Sequence, residues 1–380
     1  MSRYFTRFLL VMALLLSANS FAKENETSSE SGKDLKTEIK EYIQHHLKDS
    51  HDFSLFSYTT DAGEHKYVGF PLPVILWDNG LKVFSSSKFH HGETLAEVDG
   101  NFYKLYHSKI YKTDAQGTIN YDEAHHPTNA KPIDFSITKS VVMIFITGLL
   151  MFLLFRGLAK SYTKNNGIPT GVGRFFEPIV LYIRDDIARP NIGEEKYKRY
   201  MPYLLSIFFF IWFLNIFGLT PLGVNVTGNI AITFALALLT FLFTNLTGTK
   251  DYWMHILDPL GDSMPWYGKL FLYLILIPIE LLGIIIKPFS LLIRLYANMQ
   301  AGHIVLMSLI ALMFYAKNAV NVDTGLEDPS WLGVVLSYFL AFAISLIEVL
   351  VALLQAYIFT MLSALYFGFA AVEHDHAEAH

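Results

Sequence analysis

The sequence predicts an all-α polytopic membrane protein with about five membrane helices, the last two long and tilted. A small N-terminal extramembrane domain of mixed or β character is expected to precede them. The 380 residues are 52% hydrophobic and only 17% charged, a balance typical of chains that cross a bilayer several times. Five long apolar runs follow residue 136, whereas the mature residues before it hold none of span length.

Residues 1–22 have the pattern of a signal peptide. Arg3 and Arg7 precede an apolar run that ends near Leu16, and small residues follow up to Ala22. An uncleaved N-terminal anchor is the alternative, although the apolar run is short for a membrane span.

Composition excludes several classes of function. The chain has no cysteine, which excludes disulfides, thiolate metal sites and a cysteine nucleophile. Its net charge of −5 gives no indication of nucleic-acid binding. No phosphate-binding loop is recognisable either.

Residues 23–135 form the predicted exported domain. They open with a polar, low-complexity stretch, and residues 33–48 show the apolar spacing of a helix. Between residues 51 and 121, short aromatic and apolar runs alternate with turn residues, among them Asn79-Gly80. This pattern predicts short strands and a hairpin.

The predicted membrane domain occupies residues 136–372, and a polar C-terminal tail occupies residues 373–380. Its five apolar stretches are residues 137–155, 203–222, 229–247, 270–316 and 331–371. The last two are about twice as long as the roughly 20 residues that a perpendicular span needs. Each is therefore two spans or one long tilted helix, and we expect long tilted helices.

Basic residues in the loops set the expected orientation. Residues 156–200 hold nine Lys and Arg residues, whereas the turn between the second and third apolar stretches holds none. The 156–200 loop and the C-terminus are thus expected in the cytoplasm of a bacterium, with the N-terminal domain in the periplasm. Residues 175–187 are amphipathic enough to lie along the inner-membrane surface.

A polar stripe follows one face of the fourth apolar stretch. Glu280, Lys287 and Arg294 are seven residues apart, which is nearly two helical turns. Ser290 and Asn298 flank Arg294 at four residues on either side. A charge at bilayer depth costs about 2.5–3.5 kcal/mol on insertion scales. The stripe must face protein or water, which indicates an ion path or, for Arg294, a structural ion pair such as one with Glu280.

The segment around Arg294, IIIKPFSLLIRLYANMQAGHIVL, closely resembles subunit a of F-type ATP synthases. In that family an arginine, an asparagine four residues on and an Ala-Gly pair precede a titratable residue. EVLVALLQAYIFTMLSALYF resembles the family's closing helix, and FLNIFGLTPLG, TGNIAITFALAL and PIELLG resemble other segments of it. The resemblance covers roughly residues 133–371.

The resemblance implies a stator-side proton channel. In that family two half-channels carry protons to and from carboxylates of a rotating c-subunit ring, which couples proton translocation to ATP synthesis. The implied partners are the c ring, a b-type peripheral stalk, the remaining ATP synthase subunits and the lipid bilayer. The subunit is expected to be non-catalytic, with no cofactor, metal or nucleic acid. The choice between H⁺ and Na⁺ depends largely on the c subunit.

The resemblance makes Arg294 the essential charge that faces the c ring. Guanidinium keeps its proton at physiological pH, so it can attract each arriving ring carboxylate and block a proton shunt between half-channels. Asn298 lies one turn away at the same interface. Gln355, on the last helix, is expected to hold the guanidinium, and an ordinary interhelical hydrogen bond is the alternative.

His303 and Glu348 depart from the commonest bacterial pattern, which has glutamate after the Ala-Gly pair and histidine seven residues before the glutamine. Here His303 follows Ala301-Gly302, and Glu348 precedes Gln355 by seven residues. The exchange predicts that the two helices approach at this level and keep one titratable pair along the inlet half-channel. A buried structural histidine is the alternative for His303.

Glu280 and Lys287 are expected to line the exit half-channel, with Ser290 on the same proton path. A mutual ion pair that makes the helix insertable is the alternative. Two other classes of function compete with the proton channel. A proton-coupled secondary transporter would use an intramembrane Arg/Glu pair, but such folds commonly contain internal repeats, which the sequence lacks. A scaffold with merely paired charges leaves the regular stripe unexplained.

Overall fold

The computed structural model describes residues 49–59, 65–92, 94–124, 126–220, 224–258, 266–318 and 331–371. The predicted signal peptide, polar stretch, helix at 33–48 and C-terminal tail at 373–380 lie outside the described residues. The chain divides into two compact units: Met1–Ile146 with Phe217–Val226, and Thr147–Ile216 with Thr227–His380.

The described part of the first unit contains eight short antiparallel strands, which confirms its predicted mixed or β character. In chain order they are β1 (Asp52–Thr59), β2 (His65–Pro71), β3 (Pro73–Trp77), β4 (Leu81–Ser85), β5 (Ala96–Val98), β6 (Asn101–Tyr106), β7 (Lys109–Thr113) and β8 (Ile133–Asp134). They form three sheets with the strand orders β1-β2, β4-β3-β8 and β5-β6-β7. A 3₁₀ helix at Ser86–Gly92 follows β4.

The predicted hairpin connects β3 and β4. Trp77 pairs with Leu81, so Asp78, Asn79 and Gly80 form the turn. Asn79 has a φ of 51° and Gly80 a φ of 133°. Asparagine and glycine reach such left-handed conformations at low cost, which explains why this dipeptide predicted the turn.

The core of this unit lies between its sheets and the 3₁₀ helix. Its buried members are Val74, Leu76, Phe84, Phe89, Ala96, Tyr103 and Ile110. Polar groups at its edge are paired: Asp78 Oδ2 accepts hydrogen bonds from Lys112 Nζ at 2.8 Å and from Tyr103 Oη at 2.9 Å. The Lys112 bond holds the pKa of Asp78 below its usual value. Burial, with the bond to Asp78, raises the pKa of Tyr103 to about 12.

Backbone hydrogen bonds join this domain to helix α1 (Lys139–Lys164). Phe135 N donates to Ile75 O at 2.8 Å, Ile137 N to Pro73 O at 3.1 Å, and Lys139 N to Ser50 O at 2.9 Å. Because these bonds continue from β8 into the first turn of the helix, the sheet is fixed to the start of α1.

Helices make up the rest of the described chain. After α1 come α2 (Gly173–Tyr182), a π-helix (Ile183–Ala188), α3 (Arg189–Ile192), α4 (Tyr197–Gly218), α5 (Ile230–Leu246), α6 (Lys250–Leu257), α7 (Trp266–Asn318) and α8 (Trp331–Ala371). Among the described helices, α1, α4, α7 and α8 are long and apolar enough to span a membrane. α5 and α6, bent by 100° at their junction, are a candidate fifth span.

The two long apolar stretches are single helices, as expected. α7 has 53 residues and α8 has 41, or about 80 and 60 Å at 1.5 Å per residue. Pro278 and Pro288 lie inside α7 without ending it. The alternative of two spans in each stretch is therefore wrong.

The loop predicted at residues 156–200 is largely helical. α1 continues past its apolar part to Lys164, and the amphipathic stretch forms α2 and the π-helix. α3 packs so closely on α8 that a Cβ at Gly368 would overlap the carbonyl oxygen of Asn191. Lys196 Nζ donates to Ala371 O at 2.7 Å, so this segment also caps α8.

Candidate functional site

The predicted site residues lie on α7 and α8, which pack against each other. Both helices are almost wholly apolar, so their polar side chains are costly unless they meet a partner or water. The contacts of each polar side chain therefore decide what it can do.

Asn298 and Gln355 join the two helices directly. Asn298 Nδ2 donates to Gln355 Oε1 at 2.8 Å, and Gln355 is buried. The expectation that Gln355 holds the Arg294 guanidinium is wrong for the described residues, where no hydrogen bond joins these two side chains. Asn298 lies one turn further along α7 than Arg294 and meets Gln355 at that level instead.

Glu348 lies against α7 at Gly302, the residue before His303. A Cβ built on Gly302 would be 3.1 Å from Glu348 Oε1, so the glycine leaves room for the carboxyl group. The two helices thus approach at the level that the exchanged His303 and Glu348 predicted. Glu348 is only 8% exposed, and neither carboxyl oxygen has a hydrogen-bond partner among the described residues.

His303 is also buried, at 5% exposure. Its Nδ1 lies 3.0 Å from the carbonyl oxygen of Met299, one turn earlier on α7. Because a carbonyl oxygen only accepts hydrogen bonds, Nδ1 must carry the proton in this contact. The bond fixes the ring's orientation and leaves Nε2 as the basic nitrogen of the neutral ring.

Arg294 is half-buried on α7. No carboxylate in the described parts of the chain forms an ion pair with it. The structural ion pair between Arg294 and Glu280 that the sequence left open is therefore absent. An arginine stays charged in a membrane helix, so its counter-charge must come from outside these residues.

Lys287 contacts aromatic rings, not Glu280. Its Nζ lies 5.7 Å from the ring centroid of Tyr366 and 5.6 Å from that of Phe369, both on α8. Glu280 and Lys287 do not come within ion-pair distance, so the alternative of a mutual pair is wrong. Their seven-residue separation, about 10.5 Å of helix rise, accounts for this. Ser290, half-buried between Lys287 and Arg294, meets no partner on α8 among the described contacts.

A small cleft with room for about one water molecule opens beside Lys287, between α5, α6, α7 and α8. Although the surface of the cleft itself is mainly apolar, six of its eleven lining residues have polar side chains: Thr240, Thr244, Asn245, Tyr252, Lys287 and Tyr366. Hydroxyl, amide and ammonium groups in a membrane segment provide donors and acceptors that can hold water. On α7 the lining of the cleft extends to Leu291, which is within one helical turn of Arg294.

Sequence reasoning missed Asn215 and Thr227, which are fully buried. Asn215 Nδ2 donates to Ala352 O on α8 at 3.3 Å, and Thr227 Oγ1 donates to Asn215 Oδ1 at 2.7 Å. Ala352 lies midway between Glu348 and Gln355, so this bond holds α8 where its two polar residues face α7. A lone asparagine in the apolar run of α4 was the available signal.

The arrangement suits proton transfer better than bond-making chemistry. A carboxyl group with no fixed partner and an oriented imidazole can each take up and release a proton. The described residues contain no cluster of three or more His, Cys, Asp or Glu side chains that could hold a metal ion.

Two families match the chain. The family described as ATP synthase A chain matches residues 141–368, which include α4 to α8 almost completely. A family described as a domain of unknown function matches residues 42–135. The first match covers more than half of the chain.

Curated relatives agree with this match. ATP synthase subunit a 2 of Prosthecochloris aestuarii is 38% identical over 323 residues, 80% of this chain and 92% of the relative. ATP synthase subunit a of Myxococcus xanthus is 41% identical over 262 residues, 65% and 79% of the two chains. Subunit a 2 of Chlorobaculum tepidum is 40% identical over 268 residues, 68% and 70%. The chain therefore belongs to the family of subunit a of F-type ATP synthases, as a multi-pass membrane subunit of a complex that makes ATP.

Proposed function

We propose that this chain is the stator-side proton channel of its ATP synthase, with Arg294 facing the carboxylates of a rotating c ring. The observation that carries the proposal is the unpaired charge of Arg294. A half-buried guanidinium on an apolar helix, without a carboxylate partner among the described residues, needs an external anion. A ring carboxylate that arrives, pairs and leaves supplies that anion.

His303 and Glu348 provide the inlet half-channel in this proposal. Their helices meet at Gly302, and the Glu348 carboxyl oxygens have no competing hydrogen bond in the described structure. Protons would pass between the carboxyl group and the imidazole before they reach the ring. Asn298 and Gln355, bonded to each other, would separate this path from Arg294 and keep the two helices in register.

The cleft beside Lys287 provides the exit half-channel. Glu280, Lys287 and Ser290 follow the Arg294 stripe toward it, and hydroxyl and amide groups line its walls. The ammonium group of Lys287 lies over the rings of Tyr366 and Phe369, and this contact holds it away from Arg294. Protons released from the ring would leave through water in this cleft.

The partners in this proposal are the c ring, which supplies the moving carboxylates, and a b-type peripheral stalk, which keeps the chain from rotating. The chain itself makes or breaks no covalent bond of ATP. The absence of a recognisable phosphate-binding loop from the sequence supports this non-catalytic role. No relative named above is a secondary transporter, and no described contact favours that alternative.

The topology is part of the proposal. Residues 1–22 would be a signal peptide, residues 23–135 a periplasmic domain, residues 136–372 the inner-membrane domain and residues 373–380 a cytoplasmic tail. The nine basic residues in 156–200 support this orientation. Asn79, exposed in the β3–β4 turn, offers a test because the chain has no cysteine of its own.

We expect Asn79→Cys in intact cells to react with a membrane-impermeant maleimide added outside, once the outer membrane is permeabilised. A cysteine at Lys160, on the opposite side in this topology, is the control and should react only in inverted vesicles. The reverse labelling pattern would overturn the orientation and the signal-peptide prediction together.

The function is tested by Arg294→Ala. We expect the subunit to insert and assemble, but proton-driven ATP synthesis in membrane vesicles should fall to background because no fixed cation meets the ring. Arg294→Lys should restore little of the ATP synthesis, since ammonium loses its proton more readily than guanidinium in a dry site. Arg199→Ala, which removes an exposed arginine at the start of α4, is the matched control. Near-normal synthesis by an assembled Arg294→Ala complex would refute the proposal.

A further inference from the structure

The β4-β3-β8 sheet of the N-terminal domain is apolar on both faces. Its inner face buries Val74, Leu76 and Phe84 in the domain core. An antiparallel sheet with one face in water normally alternates apolar and polar residues. Here Ser85 at the end of β4 is the polar residue on the outer face, and five outward residues are apolar and between 54% and 63% exposed: Trp77, Leu81, Val83, Ile133 and Phe135.

Strand register makes these five side chains one continuous surface, the outer sheet patch. Trp77 pairs directly with Leu81 on one neighbouring strand and with Ile133 on the other. Directly paired residues point to the same face with Cβ atoms about 4.5–5.5 Å apart. Val83 and Phe135 each follow a patch residue by two positions, which returns them to that face. Contiguous exposed apolar patches of this kind mark interaction surfaces.

The outer sheet patch is close to the start of a membrane helix and fixed to it. Phe135 lies four residues before Lys139, where α1 begins, which is at most about 13 Å of extended chain. The hydrogen bonds of Phe135, Ile137 and Lys139 to the domain leave no loose linker between sheet and helix. The sheet therefore stays near the depth at which α1 enters the membrane.

Exposed apolar side chains are also present on α1, the helix that follows the sheet. Phe145 and Ile146, which belong to the same unit as the sheet, are exposed on the first turns of that helix. On a membrane helix such side chains face lipid. A tryptophan and a phenylalanine beside the start of a span are typical of the aromatic belt at the membrane–water interface. Lys131, exposed two residues before Ile133, is suited to lipid phosphate groups.

We propose that the outer sheet patch docks on the phospholipid bilayer, in the headgroup and upper acyl region of the leaflet at which α1 begins. The domain is then a membrane-seated cap held by the sheet as well as by α1. The short, hydrogen-bonded connection between the patch and the start of a membrane helix favours lipid over a protein partner. This inference does not depend on the proton path.

Site-directed spin labelling tests the proposal, because the chain lacks cysteine. Single cysteines at Leu81 and Ile133, on the two outer strands of the sheet, would carry a nitroxide in the assembled complex in phospholipid nanodiscs. Both positions are exposed, so labelling should not disturb the core. Lys109→Cys on β7, exposed on a different sheet, is the control. Collisions with oxygen, which concentrates in lipid, are compared with those of a water-soluble nickel chelate.

We expect oxygen to reach the Leu81 and Ile133 labels while the nickel chelate is excluded severalfold relative to Lys109, at depths of about 5–10 Å below the lipid phosphates. Equal access of the chelate at all three positions would place the patch in water and overturn the proposal. Exclusion of both reagents would also overturn it, because it would mean that protein covers the patch.

Discussion

The N-terminal domain and the α7–α8 helix pair differ in whether their carboxyl groups have hydrogen-bond partners. In the domain, Asp78 is held by Tyr103 and Lys112, and His51 is bonded to Asp134. In the helix pair, the Glu348 carboxyl group is buried without a hydrogen bond in the described structure. The carboxyl groups of Asp78 and Asp134 lie near the surface of the domain, yet both are paired. The apolar helices leave Glu348 buried, yet neither of its carboxyl oxygens has a hydrogen-bond partner in the described structure.

This difference distinguishes polar groups that stabilise the fold from polar groups that we propose take part in proton transfer. Leaving a buried polar group without a partner costs about 1–3 kcal/mol, and more for a charged one. An unsatisfied buried group in a native structure therefore calls for an explanation, and a catalytic or transport role is one. The same reasoning applies to Arg294, whose partner we place on another subunit. The hydrogen-bonded Asn215 and Thr227 in the membrane region then position Glu348, because they hold α8 in place.

Asn215→Leu tests that distinction and should have the largest effect among variants outside the proposed proton path. The change removes the bond to Ala352 and leaves the Thr227 hydroxyl unpaired. An interhelical hydrogen bond in a membrane averages only about 0.6 kcal/mol, so the subunit should still assemble. Because Glu348 and Gln355 lose their fixed register, proton-driven ATP synthesis should fall severalfold.

Ser363→Ala is the matched control for Asn215→Leu. Its buried hydroxyl donates to Phe359 O on its own helix and positions nothing else. Synthesis should stay close to that of the unmodified complex. Equal losses in the two variants would mean that Asn215 contributes to packing alone.

Asp78→Asn should have a smaller effect, confined to the domain. Asparagine can still accept from Tyr103, but Lys112 loses its carboxylate. We expect a local destabilisation of about 1.5 kcal/mol, the lower end for bonds to charged groups, because Lys112 is partly exposed. Amide hydrogen exchange of β6 and β7 in the intact complex measures it. ATP synthesis should be unaffected, and a loss of synthesis without faster exchange would contradict the comparison.

The pH dependence of this destabilisation follows from the direction of the shift. The pKa of Asp78 lies below its ordinary value of 3.8, chiefly through the Lys112 bond. The folded state thus binds that proton less tightly, and its stabilisation is present above the ordinary pKa and lost as pH falls through the folded one. The difference between the unmodified chain and Asp78→Asn should therefore be full at pH 7 and disappear in acid.

Helical periodicity and the free-energy cost of a charge in an apolar helix explain which features the sequence could predict. The stripe through Arg294 was visible because charges at a seven-residue spacing on an apolar helix have no other interpretation than a shared face. Glu348 stood out as the one charge in its helix. The Asn79-Gly80 hairpin was visible because few other residues adopt its conformation.

Contacts between segments far apart in the chain were not predictable in this way. The pairing of Gln355 with Asn298, and of Lys287 with Tyr366 and Phe369, depends on the rotation of α8 relative to α7. Helical periodicity gives the face of each helix but not that rotation. The partner of Asn215 was hidden for the same reason. The apolar outer face of the β4-β3-β8 sheet required the strand register, which a single sequence does not give.

The central claim is that the unpaired carboxyl group of Glu348 carries protons. The most direct test compares Glu348→Gln with Glu348→Asp in proton-driven ATP synthesis by membrane vesicles with equal amounts of assembled complex. Glutamine keeps the size and hydrogen-bonding capacity of the side chain but cannot release a proton, whereas aspartate can. We predict that the glutamine variant loses most of its synthesis and that the aspartate variant keeps a substantial part. Equal, near-normal synthesis by both variants would contradict the account.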